Sequence, residues 1–182
     1  MLEVRWHGRG GQGGFTAARL LGLAAALYED KYALAFPSFG PERRGAPVLG
    51  FTRIDDKKIT DRSAVTECDY VVVLDETLMN AAVVAGLKPT GKLVVNSTQP
   101  EQYRGLAGTH EIVAVDATAL AMESLGRPIT NTAMLGALVA ASGIIRLESA
   151  LQGVAHEMSP ALARKNSEVL RRAYAQVVGV TA

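Results

Sequence analysis

Residues 2–26 read LEVRWHGRGGQGGFTAARLLGLAAA, and this stretch decides the fold. Residues 2–6 alternate apolar and charged side chains as a short strand does, while Leu20, Leu21, Ala24 and Leu27 recur at helical spacing across residues 15–28. Between them lies a run of glycines. Strand, glycine loop and helix in that order open an α/β domain. Gly8, Gly10 and Gly13 also satisfy G-x-G-x-x-G, the spacing that lets a backbone approach a pyrophosphate.

The continuation argues against a dinucleotide. Such a fold places an Asp or Glu about twenty residues further on, at the end of the second strand, to hold a ribose hydroxyl. The second apolar stretch here, residues 32–36, runs into Pro37 with no acid at its end, and Asp30 precedes it. A Walker A loop fails too, because no Lys-Ser or Lys-Thr pair follows the last glycine. What remains is a loop whose glycines permit close approach and whose following helix favours an anion at its N-terminus. A tight turn that only packs helix on sheet is the competing reading.

Residues 37–47, PSFGPERRGAP, form a Pro- and Gly-rich loop with three charges at its centre. Arg43 and Arg44 offer planar forks of donors suited to phosphate or carboxylate. The plainer alternative pairs Glu42 with one arginine and leaves the other in water.

Residues 48–54 read as a strand, with a hairpin turn expected over residues 57–59. Residues 69–75 (DYVVVLD), 91–96 (GKLVVN) and 110–116 (HEIVAVD) are continuous apolar runs, the pattern of parallel strands buried on both faces. A crossover helix is expected over residues 76–87 and another over 117–125. Asp75, Asn96 and Asp116 then fall together at the carboxyl edge of the sheet, where open parallel sheets bind ligands; the simplest role for the two aspartates is helix capping. Residues 131–145, 147–157 and 160–178 read as helices, the last opened by Ser159 and Pro160. Ala133, Gly136, Ala137, Ala140 and Gly143 invite close approach by the domain's own sheet or by another chain.

One domain of 182 residues, 48% hydrophobic, accounts for the whole chain. A formal charge of +1 rules out a general nucleic-acid surface, so an anion site must be local. The longest apolar run, about residues 133–145, is shorter than the roughly 20 residues that cross a bilayer. With no visible signal peptide and a single cysteine, a cytoplasmic location is expected. Cys68 cannot by itself hold zinc or an iron-sulfur cluster, and His7, His110 and His156 lack metal spacing. No catalytic constellation is visible.

Taken together, WHGRGGQGGFTAARLL (residues 6–21), FPSFGPERRGAPV (36–48), VVVLDETL (71–78) and PITNTAMLGAL (128–138) resemble the gamma subunit of the 2-oxoacid:ferredoxin oxidoreductases, with the pyruvate synthase branch most similar. The resemblance spans nearly the whole chain and implies a Rossmann-like, mostly parallel sheet flanked by helices, with a helical C-terminal third. It implies a thiamine-diphosphate enzyme that oxidatively decarboxylates a 2-oxoacid, passes electrons through iron-sulfur clusters to ferredoxin and delivers the acyl group to coenzyme A. Thiamine diphosphate, its magnesium and the clusters are then expected in alpha, beta and ferredoxin-like delta chains, leaving this chain cofactor-free and inactive alone. Gly8, Arg9, Gly10, Gly11, Gln12 and Gly13 become a loop facing those chains, and Arg43 and Arg44 the candidates for coenzyme A phosphates or an intersubunit carboxylate. Two other readings stay open: a free-standing nucleotide-binding dehydrogenase and a purely structural assembly subunit. An indolepyruvate-type substrate is the alternative branch.

Overall fold

A computed structural model describes residues 1–38 and 43–181. The glycine-flanked opening folds as read: strand β1 (Leu2–Arg9) is followed by helix α1 (Gly14–Tyr28). Strands β2 (Tyr32–Pro37) and β3 (Pro47–Asp55) come next, then β4 (Cys68–Val73), β5 (Leu87–Asn96) and β6 (Glu111–Val115). These make one six-stranded sheet in the order β2-β3-β1-β4-β5-β6. Strands β1, β4, β5 and β6 are mutually parallel, whereas β3 runs antiparallel to both β1 and β2. The sheet is therefore mostly parallel, as expected.

The apolar runs end up buried on both faces. Val71, Val72 and Val73 of β4 and Leu93, Val94 and Val95 of β5 have no exposed surface. On one face Val4, Trp6, Val72 and Val94 pack under α1 and the later helices α4 (Ala117–Leu125), α5 (Asn131–Ser142), α6 (Leu147–Glu157) and α7 (Pro160–Thr181). Trp6 Nε1 donates to Thr52 Oγ1 at 3.1 Å, and that hydroxyl donates to the Ala18 carbonyl at 2.9 Å. Two buried polar groups are thus satisfied while β1, β3 and α1 are tied together.

The opposite face carries Phe51, Val71, Val73, Leu93 and Val95, covered by Val65 and by the short helices α2 (Ala81–Val84) and α3 (Arg104–Ala107). Two expectations are corrected here. The helix expected over residues 76–87 is instead a 3-10 turn (Glu76–Leu78) followed by α2. Asp75 caps the first, Asn80 restarts the second by accepting from the amides of Ala82 and Val83, and β5 already begins at Leu87. The hairpin turn expected over residues 57–59 has no return strand: residues 56–67 run irregularly beside the sheet to β4. Arg53, nearly fully buried, holds this segment by donating to the Asp61 carbonyl at 2.7 Å while pairing with Glu3 at 2.9 Å.

On the small-residue face of α5, Gly136 meets α7 of the same chain. A Cβ on Gly136 would stand 2.3 Å from the Leu170 carbonyl oxygen. Helix α5 stops at Ser142 because Gly143, at φ 63°, turns the chain left-handed.

Candidate functional site

The carboxyl ends of the parallel strands frame a crevice of about 630 Å³. Its lining comes from residues 10–12 after β1, 74–77 after β4, 96–98 after β5, Asp116 and Thr118 after β6, residues 128–130 before α5, and Arg44. Asp75, Asn96 and Asp116 thus meet at one edge, as their positions at strand ends predicted. Asp116 caps α4 by accepting from the Ala119 amide at 2.9 Å. Asn96 donates to the Leu74 carbonyl at 2.9 Å and to Thr118 Oγ1 at 3.0 Å, joining three strand ends.

The glycine loop is built on close approach. A Cβ at Gly10 would lie 2.3 Å from the Arg43 carbonyl oxygen, and one at Gly13, where φ is 78°, would lie 2.6 Å from Asn131 Nδ2. Gly10 and Gly13 are therefore required by packing against two other segments, whereas a Cβ on Gly8 meets nothing nearer than 3.4 Å. The first-turn amides of α1 lack intrahelical partners by helix geometry, and no acidic residue stands in that turn.

The loop holding Arg43 and Arg44 is stitched to the glycine loop through the main chain. Gly10 donates its N–H to the Ala46 carbonyl at 2.8 Å, Gly45 donates to the Gly10 carbonyl at 3.0 Å, and Gly10 and Arg44 form a parallel bridge. This is the site at which a dinucleotide fold departs from the present one. There the second strand neighbours the first and supplies an acid. Here β3 takes that place, entering the edge directly after Arg43 and Arg44.

The structure separates the predicted residues. Arg44 lines the crevice; Arg43 is exposed outside it, and neither makes an ion pair among the described residues. Glu42, suggested as a pairing partner, lies outside the described residues. Arg9 and Gln12 are turned inward. Arg9 donates through Nε to Asp75 at 3.0 Å, through Nη1 to the Gly45 carbonyl at 3.2 Å and through Nη2 to Thr77 Oγ1 at 2.8 Å. Gln12 donates to Asp75 at 2.9 Å and accepts from the Arg9 amide at 2.7 Å. Burial works to raise the Asp75 pKa, but the bonds from Thr77 and Gln12 and the charge of Arg9 outweigh it and hold the carboxyl below its usual range. Reading the sequence recognised Asp75 as a cap and missed this hub. The signal was a strand-terminal Asp two residues before a Thr.

His7, His110 and His156 do not converge, and no group of His, Cys, Asp or Glu among the described residues could hold a metal ion. Cys68 is fully buried, and burial pushes its thiol up to about 11. No helix among the described residues is long and apolar enough to cross a membrane.

Comparison with known proteins agrees with this architecture over its whole length. The family model described as pyruvate ferredoxin/flavodoxin oxidoreductase matches residues 3–176. A pyruvate synthase subunit PorC of Methanocaldococcus jannaschii is 45% identical over 179 residues, covering 98% of both chains. A pyruvate/ketoisovalerate oxidoreductases common subunit gamma of Thermococcus litoralis is 48% identical over 182 residues, again covering 98% of each. The crystal structure of pyruvate oxidoreductase subunit PORC from Thermotoga maritima superposes with a TM-score of 0.85 at 43% identity, covering 95% of this chain and 94% of that one. With a family model matching residues 3–176 and full-length relatives at 45–48% identity, this chain belongs to the pyruvate ferredoxin/flavodoxin oxidoreductase family.

Proposed function

We propose that the chain is the gamma subunit of a 2-oxoacid:ferredoxin oxidoreductase, acting on pyruvate or a related 2-oxoacid with alpha, beta and ferredoxin-like delta chains, and that its crevice receives coenzyme A. Identity of 45–48% over the full length of relatives named as such subunits supports the assembly. The crevice supports the ligand. It offers one cation at Arg44 and a wall of hydroxyls from Thr77, Ser97, Thr98, Thr118 and Thr130. That combination suits a phosphate at one end and a hydroxyl-rich group beyond it.

The chemistry at the 2-oxoacid belongs, in this reading, to the other chains. Thiamine diphosphate would supply decarboxylation and iron-sulfur clusters the electron path. The donor set of this chain does not fit a cluster, because its one cysteine is enclosed in the core with a raised pKa. The chain's own contribution is to bind and orient: the main-chain bonds to Gly10 bring Arg44 to the crevice at the strand ends, and the exposed Arg43 faces a partner chain.

Kinetics of the co-expressed complex test this. Arg44→Ala removes a charge-assisted bond worth roughly 1.5–3 kcal/mol, which raises the KM for coenzyme A by about ten- to a hundredfold and leaves 2-oxoacid binding unchanged. Arg43→Ala weakens assembly, seen as loss of complex mass on dilution. An unchanged KM for coenzyme A in Arg44→Ala removes the ligand reading. Failure to assemble with the other chains removes the subunit reading.

A further inference from the structure

We propose that Asp75 is a positioning residue that sets the place of the Arg44 loop through Arg9. The two loops come from different parts of the chain, residues 8–13 and 43–47, and each is rich in glycine or exposed. Main chain joins them where the β1–β3 ladder ends, with Arg9 opposite Pro47, and through the bonds of Gly10 with residues 45 and 46.

The carboxylate of Asp75 supplies the rest from a rigid base. It stands two residues past Val73, the last residue of β4 and fully buried, and the Leu74 amide extends the β1–β4 ladder by donating to the His7 carbonyl at 2.8 Å. One oxygen, Oδ2, accepts from both Arg9 Nε and Gln12 Nε2; the other, Oδ1, accepts from the amide and hydroxyl of Thr77 at 3.0 and 2.6 Å. Arg9, aligned by Asp75 and Thr77, then reaches across to the Gly45 carbonyl, next to Arg44. The chain of contacts runs from the centre of the sheet to the exposed loop in two steps.

Asp75 lines the crevice, and it also acts on binding at a distance, through the position of the arginine loop. Replacing it with Asn leaves one acceptor where the carboxylate has two, so an N–H group must face either Thr77 or the Arg9–Gln12 pair. The released Arg9 loses its alignment on Gly45, and the arginine loop loosens while the sheet below it stays intact.

Amide hydrogen exchange on the full chain tests the linkage without any ligand. In Asp75→Asn the amides of Gly10 and Gly45 exchange about tenfold faster or more, while those of α5 and α7 are unchanged. Arg9→Gln has the same effect, and the double variant adds nothing further, because the two act as one unit. In the co-expressed complex, Asp75→Asn raises the KM for coenzyme A about tenfold with kcat unchanged, an arm that rests on the coenzyme A reading. Unchanged protection at Gly10 and Gly45 overturns the proposal, as does a uniform loss of protection across the sheet. If Arg44→Ala moves that KM and Asp75→Asn does not, the positioning role falls while the coenzyme A reading stands. If neither moves it but the exchange pattern appears, the linkage stands and the coenzyme A reading falls.

Discussion

The carbonyl oxygen of Arg43 occupies the space where a side chain on Gly10 would begin, 2.3 Å from the ideal Cβ position. The obstacle is main chain, so no rotamer change relieves it. Gly10→Ala must displace the arginine loop, and overpacking of this kind costs roughly 1–3 kcal/mol. Urea unfolding of the full chain should show a lower midpoint at an unchanged slope. A midpoint equal to the parent's would mean that the loop yields freely.

Gly136→Ala poses a contest of sign. In an exposed helix the change would stabilise by about 1 kcal/mol through helix propensity. Here the new methyl meets the Leu170 carbonyl oxygen at 2.3 Å, and α5 and α7 must separate. Packing wins, and thermal unfolding is expected to show a Tm lowered by several degrees. A raised Tm would contradict the close α5–α7 approach.

His7 makes stability fall with acid. Its imidazole is buried beside Arg5, and burial first, then the Arg5 charge, lowers its pKa from 6.5 to about 4. Because Arg5 Nε donates to His7 Nε2 at 3.1 Å, the folded protein needs that nitrogen unprotonated. The unfolded chain takes up a proton below about pH 6.5 and the folded one only near pH 4. The contribution is thus complete above pH 6.5 and is lost as pH falls to about 4, amounting to about 3 kcal/mol. Urea titrations from pH 7.5 to 4 should give a flatter profile for His7→Gln than for the parent. Parallel profiles would remove His7 as the cause.

Neither NAD nor NADP should bind tightly. On the side of β1 where a dinucleotide fold has its second strand stands β3, which begins just after two arginines, and the end of β2 carries no acid for a ribose hydroxyl. Calorimetry of the full chain with each nucleotide should give no dissociation constant in the low micromolar range. Such binding would revive the dehydrogenase reading.

Much of this was legible before folding. The alternation of residues 2–6, the glycines and the periodicity of residues 15–28 define β1, its loop and α1, and the β-branched runs ending at Asp75, Asn96 and Asp116 place the crevice at the carboxyl edge of the sheet. Two kinds of information were hidden. Residues 76–87 have helical composition, yet Asn80 caps a second start and Gly86, at φ 78°, ends it, so local capping overrides apolar spacing. The partnership of Arg9 with Asp75 spans 66 positions in sequence and depends on β1 and β4 being neighbours, which no window of sequence contains. Arg9 therefore reads as a free cation in a loop until the sheet order is known.

Over residues 43–47 the course of the arginine loop is held by main-chain bonds to Gly10 and by Arg9 on the Gly45 carbonyl, while the charges it carries are written in the side chains of Arg43 and Arg44. Path and cargo are encoded separately. Substitution at residues 43 and 44 can then retune what the edge attracts without rerouting the chain, whereas a change at Gly10 cannot be absorbed in that way.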